Sequence, residues 1–252
     1  MHIFNTIFFS FLLGIIPAFI WLWFWLREDA EHPEPRSFIL LTFFYGALSV
    51  LFALALQLVF NSSLGIGGTS AVAELPFFHA FIIVCVWAGI EEFVKYFAAW
   101  HGGLKKTITD EAVDVPIYMI SAALGFAALE NTLFLISPLL DGNLIQIIAT
   151  TKLRFVGAML VHVASSALIG IFAGYSLFFS KSMRRRYVYS GFILATVLHA
   201  LFNLFIIKGS QNSFVGFLLI WLFVVVIIVL FERIKKIKVT RIQNVREKEN
   251  TN

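Results

Sequence analysis

Residues 77–100 read FFHAFIIVCVWAGIEEFVKYFAAW, and this stretch indicates the fold class of the whole chain. A bilayer core about 30 Å thick needs roughly 20 apolar residues in a helix that crosses it. The stretch is that long, yet it carries Glu91, Glu92 and Lys95 in its second half. Because a charged side chain at mid-bilayer costs roughly 2.5–3.5 kcal/mol on insertion scales, these residues predict neighbouring helices that shield them from lipid.

The remaining sequence supplies those neighbours. Of the 252 residues, 60% are hydrophobic and only 13% are charged, whereas a soluble domain carries about 25% charged residues. We therefore predict an all-α fold, a polytopic transmembrane helical bundle in which residues 1–252 form a single integral membrane domain. Its seven predicted spans lie at about 3–26, 37–60, 77–100, 113–137, 153–179, 188–208 and 214–232.

The lysine and arginine residues predict the orientation of this bundle. Fifteen of the nineteen lie in the 27–36, 101–112 and 180–187 loops and in the tail from Arg233, and three lie on the opposite side. Cytoplasmic loops carry the excess of basic residues, so we predict the N-terminus outside and the C-terminus inside. This distribution accounts for the formal net charge of +4, so we predict a lipid bilayer and no nucleic acid as the partner.

Polar and ionisable side chains concentrate in four of the seven spans. The first, second and seventh spans have no ionisable residue in their apolar centres. Burying such groups singly in lipid is unfavourable, so we predict that those of the other four spans face one another. The alternative is a polar core that only holds the bundle together. The candidates are Glu91, Glu92, Lys95, Asp114, Glu130, Asn131, Arg154, His162, His199 and Asn203.

The expected depths of these residues support a meeting point near the middle of the membrane. At 1.5 Å per residue, Glu91 lies about 20 Å and His162 roughly 14 Å below the outer face. His199 lies about 16 Å above the inner face, and Glu130 lies nearer the outer half. Three of these residues therefore share a central slab of the bilayer.

Helical spacing adds further expectations about neighbours. Glu91 and Lys95 are four residues apart, so they can pair, and Glu92 then points about 100° away. His199 and Asn203 have the same spacing and share a helix face. The fifth span carries a stripe of mostly small residues at four-residue spacing, which lets a neighbouring backbone approach closely. We interpret its last three members, Ser166, Gly170 and Gly174, as packing residues. The stripe contains Ala158, His162, Ser166, Gly170 and Gly174.

The motifs of common soluble enzymes are absent from the sequence. It has no HExxH or GxSxG motif and no phosphate-binding glycine loop. The single cysteine, Cys85, excludes a disulfide framework or a cysteine-based metal site within the chain.

The order of the polar residues, by contrast, is distinctive over about residues 27–204. Its elements are Asp29 to Arg36, Glu91-Glu92-x-x-Lys95, Asp114, Gly125-Phe126-Ala127-Ala128-x-Glu130-Asn131, Arg154 with His162, and His199-x-x-x-Asn203. This order resembles the PrsW family of intramembrane proteases, which is related to the CAAX prenyl-protease and bacteriocin-processing superfamily.

The resemblance implies a catalytic set. Glu91 and Glu92 match the paired catalytic glutamates of the family, and His162 and His199 match its two helix-borne histidines. Asn203 matches the polar partner of the second histidine.

The resemblance also implies a supporting set on the same helices. Two positions near it depart from the family pattern: Val115 follows Asp114 where relatives more usually have glycine, and Phe134 stands where a tyrosine often follows the Glu-Asn pair. The supporting residues are Lys95, Asp114, Glu130, Asn131 and Arg154.

The function implied by the resemblance is that of an intramembrane endopeptidase. Its substrate would be a membrane-anchored protein, for some relatives an anti-sigma factor. The single cysteine and the short loops favour a bacterial plasma membrane as its location. Two other classes of protein also bury such groups. A proton- or ion-coupled transporter would do so, but it is expected to show inverted repeats, and the sequence has none. An inactive scaffold of the same fold would tolerate the loss of a glutamate or histidine, whereas the whole set is present.

Two versions of the hydrolytic mechanism fit these residues. In the first, Glu91 or Glu92 is the general base, while His162, His199 and Asn203 position the water or stabilise the oxyanion. This version requires no cofactor, and we favour it from the sequence. In the second, Glu91 or Glu92 binds Zn²⁺ together with His162 and His199, and a water molecule occupies the open position.

Overall fold

A computed structural model describes residues 2–28, 33–105, 111–177 and 179–250 of the chain, and within these ranges it contains helices and no strand. Residues 29–32, from the first element of the resemblance, lie outside them. The helices are α1 (His2–Glu28), α2 (Arg36–Leu64), α3 (Thr69–Glu74), α4 (Phe77–Ala99), α5 (Asp114–Leu140), α6 (Leu144–Leu153), α7 (Met159–Tyr175), α8 (Lys181–Ile207) and α9 (Ser210–Asn250). Short π-helical segments follow α4 at Trp100–Leu104 and join α6 to α7 at Arg154–Ala158.

Seven of the helical stretches are long and apolar enough to cross a membrane, so the predicted all-α, seven-span bundle is confirmed. The inside and outside assignment of the termini stays a prediction. The spans are Ile3–Arg27, Arg36–Leu64, Phe77–Leu104, Asp114–Leu140, Leu144–Tyr175, Lys181–Ile207 and Phe214–Ile237.

Two spans begin earlier than the hydropathy of the sequence predicts. The fifth starts at Leu144, because α6 and the π segment continue into α7 and the side chain of Asn143 accepts a hydrogen bond from the Gln146 amide. The sixth starts at Lys181, because the Ser180 hydroxyl caps α8 in the same way. Capping groups satisfy the first free backbone amides of a helix, so these helices extend through polar residues that composition assigns to loops.

The helix α5 lies at the centre of the bundle, with α1, α2 and α7 packed against it. Most side chains of α5 and α7 are buried, whereas α1 and α2 expose large apolar residues such as Phe4 and Phe52 on their outer faces. The helices α4 and α8 pack against each other and close the bundle around α7. Exposed apolar faces around a buried centre are what lipid requires of a membrane bundle.

Small residues let the neighbouring helices approach α5 to backbone contact. Gly125 of α5 faces the carbonyl of Phe43 on α2 so closely that a Cβ atom there would overlap it, and Gly46 of α2 meets α5 in the same way. Gly170 of α7 faces the backbone of Pro116 on α5. Close approach at small residues is a main source of helix association in membranes. The packing role predicted for Gly170 is therefore confirmed.

Replacement of Gly125 by alanine tests this contact. The added methyl group has no space between α5 and the Phe43 carbonyl, so we expect Gly125→Ala to lower the free energy of unfolding by about 1–3 kcal/mol. Thermal unfolding of the purified protein in detergent measures the change. The matched control is Gly89→Ala in α4, where the new Cβ would lie 3.6 Å from Thr196 Cγ2, an ordinary contact. Equal unfolding midpoints for both variants would contradict the prediction.

Candidate active site

The four helices α4, α5, α7 and α8 bring most of the polar candidates into one buried cluster. Glu92, Lys95 and His199 are fully buried, and Glu91 and His162 expose 7% and 2% of their surface. The cluster lies between helices that surround it with apolar side chains, so its members interact with one another in a low-dielectric environment.

Glu92 is the most completely bonded member of the cluster. Its Oε1 accepts a hydrogen bond from Lys95 Nζ at 2.7 Å and from Ser165 Oγ at 2.7 Å, and it lies 2.8 Å from His199 Nδ1. Its Oε2 accepts from Ser166 Oγ at 2.8 Å. Because both oxygens already have donors, the Glu92 carboxylate is suited to holding its neighbours in place.

Glu91 has the opposite character, although it is the next residue in the chain. Its Oε1 accepts a hydrogen bond from Gln57 Nε2 at 3.0 Å. Its Oε2 is buried and has no hydrogen-bond partner in the described part of the chain, and the same holds for His199 Nε2. These two atoms lie 3.5 Å apart, and Glu91 Oε2 lies 3.9 Å from His162 Nδ1. Buried polar atoms are nearly always satisfied, so this unsatisfied pair indicates a position that a water molecule or an ion could complete.

His162 connects this unsatisfied pair to the rest of the cluster. Its Nε2 lies 3.0 Å from Glu130 Oε2, and its Nδ1 lies 2.9 Å from Lys95 Nζ. Its ring meets the His199 ring edge-on with centroids 4.9 Å apart. The carboxylate of Glu130 thus sets the orientation of the His162 ring, as Glu92 does for His199.

Arg154 in turn holds Glu130. Its guanidinium donates hydrogen bonds to Glu130 Oε2 and, at 2.5 Å, to Asn131 Oδ1. It also stacks over the Phe134 ring with its central carbon 3.9 Å from the ring centroid, a favourable cation–π geometry. Arg154 opens the π-helical segment before α7, a kind of irregularity that is frequent at functional sites. Phe134, a departure from the family pattern, therefore still contacts the cluster.

Two expectations about neighbours in the cluster are wrong. Lys95 pairs with Glu92, three residues earlier, and not with Glu91, because its side chain runs toward α7, where His162 also lies. Ser166 is more than a packing residue, since its hydroxyl binds Glu92. Positions three and four residues apart are both neighbours on a helix, and the sequence cannot say which one a side chain turns to.

Two other candidates do not bond to the cluster. Asp114 lies at the start of α5, sixteen residues before Glu130, and so about 24 Å from it along the helix. It accepts a hydrogen bond from the Glu111 amide at 2.7 Å. Asn203 lies one turn beyond His199 and is half-buried, and the described residues offer its side chain no hydrogen bond.

Sequence reasoning missed Gln57 and Ser165. Gln57 is an uncharged amide in the apolar part of α2, which has no charged residue after Arg36, so charge gives no signal for it. Ser165 lies three residues after His162 on α7, beside the stripe at four-residue spacing. Both bind a glutamate of α4.

The cluster also fits a metal ion. One ligand atom each from Glu91, His162 and His199 lies within 4.8 Å of the others, and all three residues are buried. Two histidines and a carboxylate form a common ligand set for catalytic zinc. Histidines that bind metals usually present their other nitrogen to a carboxylate or carbonyl, as both rings do here. The two unsatisfied atoms, Glu91 Oε2 and His199 Nε2, are those that a metal ion would use.

Comparison with known proteins identifies the family of the chain. The sequence profile described as "PrsW family intramembrane metalloprotease" matches residues 34–230. The chain is 28% identical to "Protease PrsW" of Geobacillus kaustophilus over 81% of this chain and 82% of the relative. It is 29% identical to the protein of that name from Oceanobacillus iheyensis over 79% and 83%, and 28% identical to that from Bacillus subtilis over the same shares. No solved structure matches the chain. With seven apolar helices, a buried glutamate–histidine cluster and a family match over most of its length, the chain belongs to the PrsW family of intramembrane metalloproteases and is a multi-pass membrane peptidase.

Proposed function

We propose that this peptidase cleaves membrane-anchored proteins within the bilayer and that Glu91, His162 and His199 form its reaction centre. The observation that carries the proposal is the pair of buried, unsatisfied atoms, Glu91 Oε2 and His199 Nε2, that face each other 3.5 Å apart beside His162. Leaving such atoms without partners costs free energy, and functional sites are where proteins retain such features.

The same three residues would hold a divalent metal ion, with zinc as the first candidate. This proposal replaces the metal-free version that the sequence favours, and the metalloprotease description of the family supports it. When bound, the ion would activate a water molecule and polarise the carbonyl group of the scissile bond. Coordination through His162 Nδ1 would require Lys95 Nζ to turn fully to Glu92, which it already contacts at 2.7 Å.

The other members of the cluster would act on these three residues or on the substrate. Glu92 would hold His199 through Nδ1, and Glu130, itself held by Arg154, would hold His162 through Nε2. Preorganised groups of this kind need no rearrangement when charge develops. Asn203, which is half-buried one turn from His199, would donate a hydrogen bond to the oxyanion of the tetrahedral intermediate.

Glu91 is a better candidate than Glu92 for the glutamate that acts directly. Both oxygens of Glu92 are engaged by Lys95, two serines and His199. Glu91 keeps one oxygen for a water molecule or a metal ion. If the enzyme works without a metal, this oxygen is the one that can accept the proton of the attacking water.

Removal of metal tests the proposal. We expect exhaustive chelation of the purified protein, reconstituted with single-span substrates in liposomes, to reduce cleavage at least 100-fold. We expect zinc to restore cleavage, because an ion held by Glu91, His162 and His199 would activate the water molecule. Cleavage is measured by gel mobility of a labelled substrate. A known zinc protease treated in parallel shows that chelation was complete. Full activity after such chelation would exclude the metal and leave Glu91 as a general base.

The substrate and the location of the enzyme follow from its family as proposals. The relatives bear only the name of a protease, and we propose a membrane-anchored regulator of the anti-sigma-factor type as the substrate. The relatives are bacterial, and we propose the plasma membrane as the site of action. The basic loops support a C-terminus inside, and we propose one membrane domain over residues 1–252. Membership of a protease family favours this function over the transporter and scaffold alternatives.

A further inference from the structure

We infer that Gln57 of α2 is a positioning residue for the active site, holding Glu91 so that one carboxylate oxygen stays directed at the two histidines. This inference rests on the proposed function of Glu91. It adds a fifth helix, without any charged residue in its apolar centre, to the four that carry the cluster.

The contacts of Gln57 identify its amide nitrogen as the group that acts. Nε2 donates to Glu91 Oε1 at 3.0 Å and approaches the Trp87 carbonyl at 3.4 Å. The Trp87 carbonyl only accepts hydrogen bonds, so the NH₂ group of the Gln57 amide is the one that faces it and Glu91. The side chain of Gln57 is half-buried, and it reaches across from α2 to the turn of α4 that begins at Trp87 and ends at Glu91.

The division of the Glu91 carboxylate follows from this bond. With Oε1 engaged by Gln57, Oε2 is the oxygen that lies 3.5 Å from His199 Nε2 and 3.9 Å from His162 Nδ1. Without the bond, the carboxylate could rotate and present either oxygen in several directions. Hydrogen bonds to a ligating carboxylate fix its geometry, and their loss typically lowers metal affinity or activity by 10–100-fold.

The neutral charge of the glutamine amide suits this task. Lys95 lies one turn from Glu91 on α4, yet it forms its ion pair with Glu92. A cation bonded to Glu91 would compete with a metal ion for the carboxylate, whereas an amide orients the carboxylate and leaves its charge in place.

Substitution of Gln57 tests the inference, with Asn61 as a matched control. Asn61 is also an amide on α2, one turn further along, and its Oδ1 accepts a hydrogen bond from Trp87 Nε1 at 2.8 Å. The four variants are Gln57→Ala, Gln57→Glu, Asn61→Ala and Asn61→Asp. Gln57→Glu and Asn61→Asp keep the shape of the side chain that they replace. Gln57→Glu, however, replaces the donor with a second carboxylate against Glu91, which is repulsive.

We expect Gln57→Ala to weaken zinc binding 10–100-fold, measured by competition with a chromophoric chelator, and to lower kcat at least tenfold with KM within threefold of the wild type. Gln57→Glu should lower kcat further. Both Asn61 variants should keep zinc affinity and kcat within threefold of the wild type, because the hydrogen bond of Asn61 is to Trp87 and not to Glu91.

The result separates this inference from the function on which it rests. If Glu91→Gln loses cleavage while Gln57→Ala and Gln57→Glu cleave as fast as the wild type, the role of Gln57 is refuted and the reaction centre stands. If Glu91→Gln cleaves normally, the reaction centre itself is refuted. Equal losses in the Gln57 and Asn61 variants would also overturn the inference, since they would point to general damage of the α2–α4 contact. The kcat comparison decides the role of Gln57 whether or not the wild type binds zinc.

Discussion

Glu91→Gln should remove nearly all proteolytic activity while leaving the fold intact. We expect kcat/KM for a reconstituted single-span substrate to fall by about 10³-fold or more, since a general base alone contributes 10²–10⁴-fold and a metal ligand is at least as important. The amide has nearly the same shape as the carboxylate, but it lacks the charge. Quantitative cleavage assays at several substrate densities in liposomes measure the change.

The stability of this variant should not fall together with its activity. Glu91 Oε2 has no hydrogen-bond partner among the described residues, so the folded protein without a ligand loses little when the charge is removed. We expect an unfolding midpoint of Glu91→Gln equal to or above that of the wild type, a trade-off common at active sites. Activity of Glu91→Gln within tenfold of the wild type would show that the reaction centre is elsewhere.

Lys95→Met is expected to have the largest effect on stability. Lys95 and Glu92 are both fully buried and form an ion pair at 2.7 Å. Removing one partner of a buried pair leaves an uncompensated charge in a low-dielectric interior, which costs about 3–5 kcal/mol. Unfolding of the purified protein in detergent, followed by intrinsic tryptophan fluorescence, measures the loss.

Two further variants show whether this loss comes from the buried charge. The double variant Lys95→Met/Glu92→Gln removes both charges and should recover more than half of the stability that Lys95→Met loses. Lys235→Met is the matched control, because Lys235 and Glu232 have the same three-residue spacing and a 2.5 Å ion pair, but their side chains are 27% and 50% exposed. We expect it to change stability by less than about 1 kcal/mol. Equal losses for Lys95→Met and Lys235→Met would contradict the prediction.

Both predictions depend on a difference between the environments of the adjacent residues Glu91 and Glu92. Glu92 has a cation, two hydroxyls and an imidazole, so its charge is compensated and it contributes to the structure. Glu91 has one neutral donor, so we predict that its second oxygen takes part in the reaction. Successive residues of a helix point about 100° apart, which is why one turn of α4 can provide two such different environments.

The seven apolar stretches could be recognised from the sequence because hydrocarbon imposes a length and a composition on every helix that crosses it. The meeting of Glu91, Glu92, Glu130, His162 and His199 could be anticipated for the same reason, since each alone is unfavourable in lipid. In one cluster they can bond to one another, as His162 does to Glu130 and His199 to Glu92. These properties depend on solvation, and solvation is a property of residue type.

The partners within the cluster could not be obtained in this way. Lys95 could turn to Glu91 or Glu92, Ser166 could pack or bind, and the Gln57 amide could face lipid or α4, and no residue count distinguishes these options. Helix rotation and the close packing at glycines such as Gly125 choose among them, because a shift of one turn or a fraction of an ångström moves a donor to a different acceptor. The packing of the five helices therefore decides which of the two glutamates, Glu91 or Glu92, keeps an oxygen without a hydrogen bond. The order of residues along each helix allows either result.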